Sequence, residues 1–455
     1  MLRRREFLSG IAAASLLRGQ SGGRKPNILF ILADDLGYGD IGCYGQKKIV
    51  TPNIDRLATQ GVRFTDCYAG STICAPSRCS LMTGMHSGHG RIRGNEHSPL
   101  LASDLTVAQV LQRANYHTGI IGKWGIGDIG TEGMPNLKGF DESYGYIDQT
   151  YAHTYYPQIM WNNTTEQVIG PNLGQHHTWS PDLLTEHAIS FIDRNRSTPF
   201  FLYLAHTLPH ANNQLGSDTG NGMEVPNDKP YTDRPWPQVE KNFAAMVTYL
   251  DTHVGKVLAQ LQKNGLEENT LVFFASDNGP HSEGGHDPKF FSSAGPFRGI
   301  KRDLYEGGIR VPMIARWPGK VPVGVTSDFP WAFWDFLPTA AELAGVSPPA
   351  GVDGMSVLPT LLGHSQKPHD YLYWESYEKG FQQAVRLGNW KGVRTQAGAS
   401  PELYDLKHDI SEKTNVAAAH PDVVAQMEKI MTAAHVDSPT YSTRGRSDRG
   451  RKRAQ

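Results

Sequence analysis

The sequence predicts an α/β fold: a mostly parallel sheet sandwiched by helices, followed by a smaller antiparallel sheet with one helix. Three observations carry that expectation. Short apolar runs recur along most of the chain and end in polar residues rather than hairpin turns. Helix-like segments with recognisable start and stop residues lie between them. Towards the C-terminus the texture changes to closely spaced short strands.

Taken in order, the run Ile28 to Ala33 ends at Asp34 and Asp35, and Thr118 to Ile121 ends at Gly122 and Lys123. Phe200 to Ala205 ends at His206 and His210, and Leu271 to Ala275 ends at Asp277 and Asn278. Each reads as a strand buried on both faces of a parallel sheet. Between them, Ser180 and Pro181 open a helix towards Arg196, and Phe243 to Lys263 carries a helical apolar stripe stopped by Asn264-Gly265. Gln214 to Trp236, rich in Gly, Asn, Asp and Pro, reads as a long surface loop near the site. After a helix over Trp334 to Ala344 come short strands at Tyr371 to Trp374, Gln383 to Leu387 and Trp390 to Arg394. An amphipathic helix over Pro421 to Ala434 follows. The chain thus divides into a leader over 1–24, a main domain over 25–365, an α/β subdomain over 366–437 and a basic tail over 438–455.

The 455 residues are 39% hydrophobic and 20% charged, which places the chain among folded globular proteins with ample core. A net charge of −1 provides no general field for nucleic acid, and no such partner is expected. The basic run from Arg444 to Arg453 reads as a solvated tail. At the other end, Arg3, Arg4 and Arg5 precede Phe7, Leu8 and a short apolar stretch from Ile11 to Leu17. That pattern resembles a twin-arginine export signal, which implies the twin-arginine translocase as a partner and a periplasmic or secreted protein. The stretch is too short to span a bilayer, and no transmembrane segment is expected in the mature chain. The four cysteines, Cys43, Cys67, Cys74 and Cys79, show no zinc spacing, and a bridge from Cys67 to Cys43 or Cys79 stays open.

In parallel α/β sheets ligands bind at the carboxyl ends of the strands, where these polar residues lie. Adjacent carboxylates at one strand end repel unless a cation sits between them. Asp34, Asp35, Asp277 and Asn278 together offer three carboxylates and one amide oxygen, which suits a hard ion, calcium before magnesium. Pro76 suits the first turn of a helix that Ser77 begins and that runs through Leu81. This puts Cys74 near a helix N-terminus, where free N–H groups favour anions.

The run Cys74-Ala-Pro-Ser-Arg78 with Thr83-Gly84 resembles the signature of the type I sulfatases, in which the cysteine is oxidised to formylglycine (3-oxoalanine). Gly122-Lys123-Trp124, Arg298-Gly-Ile-Lys301 and Glu306-Gly-Gly-Ile-Arg310-Val-Pro resemble further motifs of that family, and the likeness reaches to about Gly319. It implies an alkaline-phosphatase-like fold and hydrolysis of sulfate esters. It also implies calcium held by Asp34, Asp35, Asp277, Asn278 and the modified Cys74. Arg78 and Lys123 would steady the nucleophile and the sulfate, Lys301 would contact the sulfate, and His210 would protonate the leaving alcohol, with His206 a second candidate. A formylglycine-generating maturation enzyme is an implied partner.

One departure stands out. Many members carry histidine directly after Gly-Lys-Trp, and this chain has Gly125. The base for sulfate release is therefore unassigned, with His89, His153, His281, His286 or calcium-bound solvent as candidates. The polar segment Asn278 to Arg302, with His281, His286 and Arg298, and the residues Tyr151, His153, Tyr155 and Tyr156 form the expected sugar-reading rim. The substrate implied is a sulfated carbohydrate cleaved from an end, with aryl sulfate as an artificial one. The rivals are a phosphatase or phosphonate monoester hydrolase on the same scaffold, and a non-catalytic protein that binds sulfated glycan.

Overall fold

A computed structural model describes residues 24–96, 98–441 and 443. The twin-arginine pattern and the basic run at Arg444 to Arg453 lie outside the described residues. In chain order the strands are β1 (Asn27–Ala33), β2 (Val62–Phe64), β3 (Cys67–Tyr68), β4 (His117–Lys123), β5 (Glu142–Tyr146), β6 (Ile159–Asn162), β7 (Thr165–Val168) and β8 (Phe200–Ala205). They continue with β9 (Thr270–Ser276), β10 (Met313–Arg316), β11 (Val325–Ser327), β12 (Trp331–Ala332), β13 (Leu372–Ser376), β14 (Gln382–Leu387), β15 (Trp390–Arg394) and β16 (Glu402–Asp405).

Ten of these form one sheet in the order β11-β2-β10-β9-β1-β8-β4-β5-β6-β7. Its centre, β9-β1-β8-β4-β5, is parallel throughout, with β10 on one side and β6 on the other running antiparallel. Because side chains alternate along a strand, β1 sends Leu29 and Ile31 to one face and Ile28, Phe30 and Leu32 to the other. The first face packs on the helices Pro52–Thr59, Ser180–Arg194 and Gln238–Lys263 through Ile54, Phe191, Phe243 and Val254. The second packs on Cys74–Thr83, Val107–Arg113 and Phe336–Leu343 through Leu81, Leu111 and Leu337. Each such buried side chain contributes about 1.5–3 kcal/mol, so burial on both faces holds the centre of the sheet in place.

That centre also fixes the strand ends. Gly122 has φ 116°, and a Cβ there would lie 1.9 Å from the Ala205 carbonyl oxygen, so only glycine lets β4 close on β8. The very next residue is Lys123. A separate antiparallel sheet, β13-β14-β15-β16, is covered by the helix Pro421–Ala433, whose Met427 and Met431 bury against Tyr373, Val385 and Leu403. Its other face meets the main domain through Trp374, Tyr68 and Trp334. There the fully buried Lys391 donates to Glu306 at 2.7 Å.

Several details differ from the sequence reading. The helix after the cysteine begins at Cys74 itself rather than Ser77, with Ile73 as its N-cap. Ser180 lies inside its helix, capped by Trp179, and that helix ends at Arg194 rather than Arg196. The segment expected to be a loop from Gln214 holds a helix, Asn213–Thr219, because Asn212 caps it by accepting from the Leu215 N–H and Gly220 closes it at φ 76°. All four cysteines are free thiols, so neither bridge from Cys67 is made. Among the described residues no helix is long and apolar enough to cross a membrane.

Candidate active site

The carboxyl ends of β1, β4, β8 and β9 meet the N-terminus of the Cys74–Thr83 helix. Cys74 donates its S–H to Asp34 at 3.2 Å and lies 3.8 Å from Asp35. Asp35 has φ 65°, a conformation uncommon outside glycine. Its backbone N–H donates to Asp277 at 3.0 Å, and Asn278 donates to its side chain at 2.7 Å. Asp34, Asp35, Asp277, Asn278 and Cys74 are all fully shielded from solvent.

Three cations hold this acidic centre. Arg78 donates twice to Asp277, at 3.0 and 2.8 Å, and once to the Lys123 carbonyl at 2.7 Å. Lys123 donates to Asp34 at 2.7 Å, and Lys301 donates to Asp35 at 2.7 Å. Burial alone would raise the pKa of Asp34, but Lys123 and Arg78 override it and hold the group well below the carboxylate range. Asp277 goes the other way: burial and the charge of Asp34 push it up to about 7. The Cys74 thiol is pushed up by burial and by Asp34, so as a plain cysteine it stays protonated and unreactive.

Two histidines complete the site. His210 donates from Nδ1 to the Ala211 carbonyl at 2.7 Å, which leaves Nε2 to accept from Lys301 at 3.1 Å. His153 stacks on it with ring centroids 3.8 Å apart, and its Nε2 lies 3.3 Å from the Lys123 ammonium. Burial, with Lys301 beside one ring and His210 and Lys123 beside the other, lowers both pKa values well below the usual histidine range. A cavity of about 590 Å³ opens over this layer, lined among others by His153, His210, Lys301, Glu283, Arg302 and Gln149.

The remaining predicted residues divide. His281 accepts the Glu283 N–H at 3.0 Å and donates to the Pro209 carbonyl at 3.2 Å, which fixes the turn that bears Glu283. His286 is tied to Glu240 at 2.7 Å and stacks on Phe243, inside the core. His206 is fully buried against His253, and among the described residues neither ring nitrogen has a hydrogen-bond partner. Arg298 lies 3.8 Å over the Tyr305 ring and donates to Tyr404 and to the Glu412 carbonyl, bridging to the small sheet instead of entering the cavity. Glu283, expected only as part of the polar rim from Asn278 to Arg302, accepts from Lys301 at 3.1 Å and pairs with Arg302 at 2.6 Å. Gln149, which no sequence signal singles out, lies on the wall of the same cavity.

The donor set fits a hard cation. Asp34, Asp35, Cys74 and His210 present atoms within 4.8 Å of one another. Asn278 Oδ1, buried beside them, has no hydrogen-bond partner among the described residues. An unpartnered buried amide oxygen next to converging carboxylates is the arrangement that an oxygen-coordinated divalent ion satisfies.

The family model described as Sulfatase matches residues 26–346, and one described as N-sulphoglucosamine sulphohydrolase, C-terminal, matches residues 298–437. Human arylsulfatase A is 32% identical, over 95% of this chain and 93% of its own. The N-acetylgalactosamine-6-O-sulfatase of Bacteroides thetaiotaomicron is 30% identical, over 90% of this chain and 93% of its own. Among solved structures, Ps i-CgsB superposes with a TM-score of 0.80 at 30% identity, covering 95% of this chain and 97% of its own. Its complex with k-i-k-neocarrahexaose gives 0.78 at 31%, covering 90% and 92%.

Proposed function

The chain belongs to the sulfatase family, and from that premise we propose that it hydrolyses sulfate monoesters of carbohydrate from a chain end, using calcium and a formylglycine made from Cys74. The observation that supports this most is the position of Cys74. It heads a helix, is 3.2 Å from Asp34, and lies among Arg78, Lys123 and Lys301, yet as a thiol it is unreactive. Such surroundings make sense for a residue that is modified before use.

The aldehyde hydrate supplies two hydroxyls on one carbon, one to attack sulfur and one whose loss of a proton returns the aldehyde and frees sulfate. Calcium, held on this reading by Asp34, Asp35, Asp277, Asn278 and residue 74, supplies positive charge beside the sulfate oxygens. Arg78, Lys123 and Lys301 add preorganised cationic donors where charge shifts in the transition state. His210 gives the leaving alcohol its proton. An anionic ester bound beside the ring favours its charged form and offsets the burial that otherwise keeps it neutral.

The relatives named for N-acetylgalactosamine-6-O-sulfate and solved with a neocarrahexaose support a carbohydrate ester, and galactose-type sugar sulfates are the first class to test. The polar cavity, with Arg302 and Gln149 on its walls, is of a size for one or two sugar units. Because Cys74 is wholly buried in the folded chain, its oxidation by a formylglycine-generating enzyme has to precede folding. Twin-arginine export, which carries folded proteins, would then deliver the finished enzyme to the periplasm or beyond.

The test is release of inorganic sulfate from 6-sulfated N-acetylgalactosamine and from sulfated galactan oligosaccharides, with matched phosphate esters alongside. The reading expects sulfate esters to be cleaved far faster and Cys74→Ala to abolish turnover while keeping the fold. Preference for phosphate, or full activity in Cys74→Ala, would overturn it.

A further inference from the structure

The two adjacent carboxylates carry matching sets of partners. Asp35 binds Lys301, which binds His210; Asp34 binds Lys123, which reaches His153 at 3.3 Å. The imidazoles stack at 3.8 Å, one over each lysine, and both line the open cavity. The reaction proposed above needs two proton transfers of opposite direction, one to the leaving alcohol and one away from the second hydroxyl. Only His210 has been given a task.

We propose that His153 is the base that frees inorganic sulfate, standing in for a side chain that Gly125 does not supply. The proposal rests on the formylglycine reading and extends it. A lysine ammonium only donates, so His153 Nε2 at 3.3 Å from Lys123 is an acceptor, its lone pair turned to the ammonium that also binds Asp34, the partner of Cys74. Gly125 itself has φ 70°, and a Cβ there would lie 2.4 Å from Gln149 Oε1. The Gln149 amide, buried and without a hydrogen-bond partner among the described residues, thus covers the place a longer side chain would take. Four residues on, the short turn Tyr151–His153 brings an imidazole back over Lys123 from a different strand connection.

In the step itself His153 Nε2 takes the proton of the remaining hydroxyl on the residue-74 carbon. The O–H electron pair becomes the carbonyl bond, and the carbon–oxygen bond to the sulfate breaks with its pair leaving on sulfate. The proton is later lost to water in the cavity.

The experiment uses mature protein carrying the aldehyde, as wild type, His153→Ala and His153→Gln, each checked for folding by thermal melt, with 4-nitrophenyl sulfate as substrate. The variants are expected to release about one equivalent of nitrophenol per site in a burst and then turn over on the order of 10²–10³-fold more slowly. Peptide mass spectrometry is expected to find the sulfated adduct accumulated at residue 74, and added imidazole to restore part of the steady rate. Unchanged turnover, or loss of burst and steady rate together without adduct, would overturn the role of His153. A wild-type protein with a bare thiol at Cys74 would instead overturn the parent reading, so the two failures are told apart.

Discussion

Arg78→Leu removes a guanidinium that is wholly buried and makes three charge-assisted hydrogen bonds, two to Asp277 and one to the Lys123 carbonyl. The carboxylate it leaves behind is also wholly buried, and burial with the nearby charge of Asp34 already pushes it up to about 7. Breaking one side of such a pair costs about 3–5 kcal/mol, chiefly as the penalty of an uncompensated charge. Removing that charge as well should return much of the loss: Arg78→Leu/Asp277→Asn is expected to recover about half or more of it. The assay is urea unfolding followed by fluorescence at neutral pH, where the midpoint moves and the slope does not. Sulfatase activity should stay lost in both variants, because the cationic donor is gone in each. The reasoning is refuted if Arg78→Leu shifts stability by less than about 1 kcal/mol, or if the two substitutions simply add.

Other consequences follow from the same geometry. His86 is buried and its pKa falls from 6.5 to about 4, chiefly through burial against the opposing pull of Asp353. Between those values the unfolded chain binds the proton and the folded one does not, so stability drops by about 3 kcal/mol as pH falls from 6.5 to 4. His86→Gln should flatten that part of the acid-denaturation curve, and an unchanged slope would assign the effect elsewhere. His210→Asn should slow sugar sulfates by about 10²–10⁴-fold but nitrophenyl sulfate far less, since nitrophenolate leaves without a proton; equal losses on both would remove His210 as the acid. Calcium at a hundredfold excess over its Kd should stabilise the fold by about 2.7 kcal/mol, read as a rise in Tm, and Asp35→Asn should abolish the response. An equal rise in Asp35→Asn would place the ion elsewhere.

How far the chain could be read from its letters depends on where each signal is stored. The central strands were legible because a strand buried on both faces must be apolar throughout, as Ile28 to Ala33 and Leu271 to Ala275 are. Their ends carried the site for the same reason: Asp34, Lys123, His210 and Asp277 are where apolar runs stop. The edge strands were not legible, since β7 is exposed along its whole length and β11 nearly so, and neither has an apolar pattern to show. The Asn213–Thr219 helix hid in a Gly- and Asn-rich stretch because it buries no residue, and its signals, a cap at Asn212 and a stop at Gly220, look like ordinary loop residues. Within the site, residue type alone could not separate His153, which faces the cavity, from His286, which faces Glu240 and Phe243. Arg298 misled in a similar way. A polar residue within a motif reads as a ligand contact until its Tyr305, Tyr404 and Glu412 partners are seen.

The central claim is chemical, and one measurement addresses it directly: peptide mass spectrometry across Cys74 in active protein purified from its native host. The expected result is the mass of an aldehyde, with its hydrate, at residue 74. A free thiol there in protein that still hydrolyses sulfate esters would contradict it.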